Sequence, residues 1–372
     1  MLRTDPGWWR PGSDPGDRRF ERVAEDGLEL EARGHLPHVD VAYETWGTLD
    51  PSAANAVLVL HALTGDAHVA GPSGPGQATA GWWDGLVGPG AAIDTDRWFV
   101  VCPNVLGGCQ GTTGPSSPAP DGRAYGSRFP VLTIRDQVAV EAALADRLGI
   151  RRWAAVVGGS MGGMRVLEWC VGHPRRVERA VALAVGAAAT AEQIALSSLQ
   201  ARAIRMDPSF RGGDYYDAET VPRAGMAVAR GLAHLSYRSA RDLETRFGHE
   251  AQAGEDPLHG GRYAIESYLD HHGDKLVARF DPNSYVVLSA AMNHHDVGRG
   301  RGGIARALAG VTADVTVAGI SSDRLYPLWD QEELAGLLPG GRPVVVIDSP
   351  VGHDGFLVEV GAVGAVIAGA LA

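Results

Sequence analysis

The sequence predicts an α/β architecture: a mostly parallel sheet carrying helices and interrupted by a helical insertion. Three observations carry this. Continuous apolar runs of strand length alternate with amphipathic stretches through the first half of the chain. That rhythm stops near Thr190, is absent to about residue 308, and returns at Val315. Between the two, the apolar run Ala154-Ala155-Val156-Val157 enters Gly158-Gly159-Ser160-Met161-Gly162, and the helix-forming run Met164–Trp169 follows.

Taken in order, residues 1–20 are rich in Pro, Gly, Asp and Arg and predict a flexible N-terminal arm. Asp40 to Thr45 alternates polar and apolar residues, as an edge strand with one wet face does. Ala56–Leu60 and Trp98–Cys102 read as buried parallel strands. Arg135 to Leu148 reads as an amphipathic helix, with Val138, Val140, Ala143, Leu144 and Leu148 near helical spacing. After the strand into Ser160 comes Val177–Val185, another apolar strand. Helical patterns then cover Thr190–Met206, Pro222–Leu235 and Tyr263–Val277, divided by charged, Gly-rich joints. Strands return at Val315–Ile320 and Val344–Asp348, and Phe356–Leu371 closes the chain as a helix. The predicted organisation is an arm at 1–20, a core at 21–188 and 308–372, and a helical lid insertion at 189–307 over the sheet's C-terminal edge, where open α/β sheets bind ligands.

The bulk numbers suit a soluble enzyme. The 372 residues are 45% hydrophobic and 21% charged, with a formal net charge of −11. No basic run suggests nucleic-acid binding, and no apolar run is long enough to span a bilayer. The start has no signal-peptide core. Cys102, Cys109 and Cys170 form no CxxC pair, so neither a disulfide framework nor a zinc site is predicted, and a reducing cytoplasm is the expected location. His271, His272, His294 and His295 come in adjacent pairs, which point in different directions on a helix and make no chelating face, so no metal is expected.

A serine on a tight strand-to-helix turn is a nucleophile elbow, which holds its hydroxyl out to a base. In α/β-hydrolase folds the acid and the base follow the serine in that order, in loops after the last strands. Asp323 lies after Val315–Ile320 and His353 after Val344–Asp348, so Ser160, Asp323 and His353 are the predicted triad. Asp314 and Asp348 are the other acids near late strands. The oxyanion needs the amide after the nucleophile, Met161, and one from an early strand-to-helix loop, which His61-Ala62-Leu63-Thr64-Gly65 offers at Leu63. His61, beside a buried strand, reads as a hydrogen-bonded core histidine.

Several segments together resemble the homoserine O-acetyltransferase family, an acyltransferase branch of the α/β-hydrolase superfamily. They are 61–70, Gly81–Gly90, Asn104–Cys109, Tyr125–Pro130, Thr133–Asp136, Gly158–Gly163 and Gly352-His353-Asp354. The resemblance spans nearly the whole chain after the arm. It implies acetyl transfer from acetyl-CoA to the hydroxyl of L-homoserine through an acetylated Ser160, an early step toward methionine. It also implies no bound cofactor, and a homodimer formed through the lid helices. By matching position it assigns Arg230 to the substrate carboxylate, Tyr237 to a supporting hydrogen bond, and Asp354 to the substrate ammonium. The sequence does not assign the CoA contacts; Arg202, Arg205, Arg238 and Arg241 are candidates for the CoA phosphates by location in the lid alone. The rivals are a serine esterase, a succinyl-CoA donor or L-serine acceptor, and a catalytically dead scaffold of the same fold.

Overall fold

The computed structural model describes residues 7–372. Its main sheet has eight strands: β1 (Arg19–Val23), β2 (Val39–Trp46), β3 (Ala56–Leu60), β4 (Phe99–Pro103), β5 (Trp153–Gly159), β6 (Val177–Leu183), β7 (Asp314–Ile320) and β8 (Val345–Ile347). Their order across the sheet is β1-β2-β4-β3-β5-β6-β7-β8. The first two strands pair antiparallel, as do β2 and β4, and every later pairing is parallel. β3 and β5 lie centrally and are buried along their whole length, which is why they read as unbroken apolar runs.

On this sheet pack α1 (Ile134–Arg147) and α2 (Met161–Gly172), the latter against β5 and β6. Thr133 starts α1 through a capping box with Asp136, which satisfies two amides that the first turn would leave open. Between β6 and β7 run only helices: α3 (Ala191–Met206), α4 (Arg223–Tyr237), α5 (Ala240–Phe247), α6 (Ala264–Val277), α7 (Pro282–Asn293) and α8 (Ile304–Leu308). α4 packs against both α3 and α6. After β7 come α9 (Leu328–Leu337), α10 (Gly355–Val358) and α11 (Val360–Leu371).

Three details differ from the sequence reading. Of the expected arm, residues 1–6 lie outside the described residues. Trp8 is 3% exposed and meets Tyr215 and Tyr216 edge-on, and Arg18 donates to the Gln77 side chain, so residues 7–20 lie against the body. The chain from Arg19 then pairs with the strand at Asp40–Thr45 and covers it, so that strand is internal and β1 takes the edge. The C-terminal helix is two helices, parted at Glu359, whose carboxylate accepts the Ser349 hydroxyl at 2.6 Å.

Candidate active site

Ser160 stands between β5 and α2 at φ 56° and ψ −125°, a conformation that a residue with a Cβ adopts only under strain. Two backbone bonds hold it: its N–H donates to the Leu183 carbonyl at 3.0 Å, and its carbonyl accepts from Met164 N–H at 3.0 Å. Gly162 explains the tightness. A Cβ there would lie 2.0 Å from the Leu60 carbonyl oxygen, so only glycine lets the first turn of α2 sit on the end of β3.

The acid and base loops meet the elbow. Nδ1 of His353 is 2.6 Å from Asp323 Oδ2, and its Nε2 is 2.9 Å from Ser160 Oγ. The carboxylate fixes the tautomer: Nδ1–H donates to it, which leaves Nε2 to accept the serine proton. The other Asp323 oxygen accepts the amides of Leu325 and Tyr326 at 2.8 and 2.9 Å, so the acid is itself oriented. Ser322 ties the two loops by donating to the Ser349 carbonyl at 2.6 Å. All three residues are buried, at 6% exposure or less. The other late acids are engaged elsewhere, Asp314 with Arg342 and Asp348 with the Ser321 hydroxyl.

Leu63 and Met161 both offer backbone N–H groups with no acceptor among the described residues. Met161 opens α2, where a helix N-terminus favours negative charge. Leu63 lies in the loop leaving β3, the strand end on which Gly162 packs. His61 is the core histidine its position suggests. It is 2% exposed, its Nδ1 contacts the Ala62 carbonyl at 2.7 Å, and its Nε2 accepts from Val105 N–H at 3.1 Å. Burial lowers its pKa to about 3, so it stays neutral.

The helices between β6 and β7 bring Arg230 and Tyr237 near the base. Arg230 on α4 lies over the Tyr237 ring at 5.6 Å and reaches Thr64 Oγ1 at 3.4 Å, while its buried Nε has no partner among the described residues. The Tyr237 ring is 5.8 Å from that of His353. Asp354 follows the base, and burial pushes its carboxyl above the usual range against the pull of His353, Arg230 and Arg238. Gly352 permits this junction: a Cβ on it would lie 2.6 Å from the Tyr237 carbonyl oxygen at the end of α4.

Sequence reasoning missed Tyr326, which stacks on His353 at 5.0 Å and 24°. It also missed the buried Tyr285 on α7, whose hydroxyl donates to Gln200 Oε1 at 2.8 Å. Neither lies in a motif; tertiary packing alone delivers them. Of the arginines that are candidates for CoA phosphates, Arg238 is engaged by Asp242 at 2.8 Å and Asp354 at 3.6 Å. Arg202 and Arg205 instead line a separate cavity of about 300 Å³ between α3 and α7. Of the paired histidines, His272 stacks on His234 at 3.9 Å with the His271 ring edge-on to it at 5.3 Å, and His295 Nε2 lies 3.1 Å from the Gly186 carbonyl oxygen.

Ser160, His353 and Asp323 form one hydrogen-bonded chain at the turn into α2, the order of groups that serine acyl transfer uses. Comparison with known proteins agrees. The family model described as the alpha/beta hydrolase fold matches residues 55–360. Proteins named homoserine O-acetyltransferase from Thermobifida fusca and Clavibacter michiganensis are each 60% identical, over 97% of this chain and 95% and 94% of their own. Among solved structures, homoserine O-acetyltransferase from Bacillus anthracis superposes with a TM-score of 0.87 at 28% identity, covering 95% of this chain and 97% of that one. Esterase E22 superposes equally well, with a TM-score of 0.86 at 26% identity, covering 95% and 99%. On fold, site geometry and full-length sequence identity together, the chain belongs to the homoserine O-acetyltransferase family of acyltransferases with the α/β-hydrolase fold.

Proposed function

We propose that this chain transfers an acetyl group from acetyl-CoA to the side-chain hydroxyl of L-homoserine by a ping-pong route. Ser160 Oγ attacks the thioester carbonyl while His353 Nε2 takes its proton. The oxyanion is met by the Leu63 and Met161 amides. On collapse the carbon–sulfur bond breaks, His353 returns the proton to the departing thiolate, and Ser160 carries the acetyl group. Homoserine then enters, gives its hydroxyl proton to His353 and attacks the ester. Collapse breaks the serine ester bond, the proton passes to Ser160 Oγ, and O-acetylhomoserine leaves.

The observation that carries the amino-acid acceptor is Arg230. A half-buried guanidinium whose Nε has no partner among the described residues, over the Tyr237 ring that neighbours His353, suits an α-carboxylate, and Asp354, next to the base, suits the α-ammonium. Tyr237 supports that guanidinium through its ring face. We assign the stretch 189–307 to a lid over this site. Exposed Leu199 and Met206 on α3, and Val228 and Leu235 on α4, support dimerisation through the lid. The three cysteines are free and buried, which suits a reducing cytoplasm.

The close superposition of esterase E22 favours a second reading, transfer to water. Thiol release from acetyl-CoA with and without L-homoserine separates the two. Release that depends on homoserine and yields its O-acetyl ester supports the transferase, and equal release without it sinks that reading. Succinyl-CoA and L-serine in parallel wells test donor and acceptor, and a preference for succinyl-CoA overturns the acetyl assignment. Ser160→Ala removes turnover while the fold is kept.

A further inference from the structure

The loop 61–65 must aim one N–H, that of Leu63, and its backbone is held from several sides. Because the peptide is planar and trans, fixing the Ala62 carbonyl fixes the Leu63 N–H opposite it. That carbonyl accepts from the Gly65 N–H at 2.9 Å and contacts His61 Nδ1 at 2.7 Å. Two arginines far away in sequence hold the carbonyls on either side. Arg165 on α2, fully buried, donates Nη2 to the His61 carbonyl and Nη1 to Glu141 Oε1 at 2.7 Å. Glu141 also accepts the Trp169 indole N–H at 2.8 Å, so this arm is rigid. From the lid side, Arg279, between α6 and α7, donates Nη2 to the Thr64 carbonyl at 2.8 Å. Its own carbonyl accepts from Gln110 Nε2 at 2.8 Å.

Arg279 is costly where it stands. Burial pushes its pKa down against the pull of the Asp66 carboxylate, and no ion pair within 4.0 Å holds it among the described residues. A guanidinium placed only for stability is ordinarily paired. The charge of Arg230 acts against this one as well, and its side-chain hydrogen bond goes to the loop that carries Leu63.

We propose that Arg279, with Arg165 opposite it, is a positioning residue for the oxyanion site: the two guanidinium groups clamp the His61 and Thr64 carbonyls so that the Leu63 N–H between them stays aimed at the developing oxyanion. The clamp couples lid to core, since Arg279 belongs to the helical stretch and Leu63 to the loop leaving β3. The proposal rests on the acyl-transfer reading above, in which the Leu63 amide is an oxyanion donor.

The test compares Arg279→Met, Arg279→Gln and Arg279→Lys with the natural chain. Acetyl transfer to homoserine and acetylation by p-nitrophenyl acetate are both followed, alongside thermal melts. A misaimed donor lowers kcat by about tenfold to a hundredfold in Arg279→Met. KM for homoserine then stays within about twofold, and the ester reaction, which uses no homoserine, falls by a similar factor. Gln and Lys, which can still donate to Thr64 O, restore most of the rate. A rise in KM for homoserine at unchanged kcat makes Arg279 a substrate ligand and overturns the proposal. So does an unslowed ester reaction. If Arg279→Met melts below the assay temperature, the Gln variant decides: rate kept supports the clamp, and rate lost in the folded variant overturns it. If the natural chain acetylates from the ester but never transfers to homoserine, the proposed function fails, while a slowed ester reaction in Arg279→Met still supports the clamp.

Discussion

Gly162→Ala tests the geometry of the elbow most directly. The added Cβ would lie 2.0 Å from the Leu60 carbonyl oxygen and 2.9 Å from its carbon, about 1 Å short of any contact a real Cβ keeps. Leu60 cannot yield easily, because β3 is central and Leu60 pairs with Gly158 of β5. The first turn of α2 must therefore move, carrying the Met161 amide and Ser160 with it. A displacement of about 1 Å at reacting groups costs about a hundredfold in rate, and overpacking a rigid site costs about 1–3 kcal/mol of stability. The assay is kcat at saturating substrates, with a thermal melt beside it. Gly361→Ala is the control. It changes the same residue type in α11, where an added Cβ meets nothing within 4 Å, so it leaves kcat alone and stabilises by about 0.5 kcal/mol. Gly162→Ala with kcat within threefold of the natural chain and an unchanged melt would refute the claim that this glycine sets the nucleophile's position.

Other perturbations follow from the same site. At position 160 the usual order of alanine over glycine reverses: with φ at 56° and ψ at −125°, Ser160→Gly melts higher than Ser160→Ala, by about 1 kcal/mol, both being inactive. Asp323→Asn keeps the hydrogen-bonded geometry but favours the wrong imidazole tautomer, so kcat falls by up to about 10⁴-fold while KM changes little. Acid destabilises the fold, because burial lowers the pKa of His61 to about 3 and of His295 to about 4. Below the unfolded value near 6.5 the unfolded chain takes up these protons and the folded chain does not, so melting temperature falls from pH 6.5 downward. His295→Gln, measured against the natural chain, removes about one proton from that slope. Asp330 has the opposite sign: burial, with Glu333 and Asp323 nearby, raises its pKa to about 6. The fold keeps its proton between the unfolded value and about 6, and that contribution is lost as pH rises through this window. Asp330→Asn therefore melts higher than the natural chain at pH 8 and shows no gain at pH 4.

What was legible in the sequence was what chain order controls. Ser160, Asp323 and His353 could be named because each sits in a loop directly after an apolar strand, and parallel strands deliver such loops to one sheet edge. The helical stretch was legible because strand rhythm fails over a long span, although α5 and α7 passed unseen, α5 being short and charged and α7 buried on nearly every side, so that it shows no polar face. β1 was missed for a local reason: Arg19-Phe20-Glu21-Arg22-Val23 is mostly polar because it lies at an edge, and polar edges look like loops. Its pairing then moved Asp40–Thr45 inward, where a partner on each side replaces the water that its alternation suggested. The residues that aim the site were illegible for a deeper reason. Arg165 reaches a carbonyl 104 residues away and Arg279 one 215 residues away. Neither contact leaves a periodic or spaced trace, because a backbone carbonyl accepts a guanidinium whatever side chain its residue bears. Position after a strand selects which residues can react; long-range bonds to featureless backbone select how well they are aimed. Substitutions at Ser160 or His353 should therefore remove turnover outright, and substitutions at Arg165 or Arg279 should grade it.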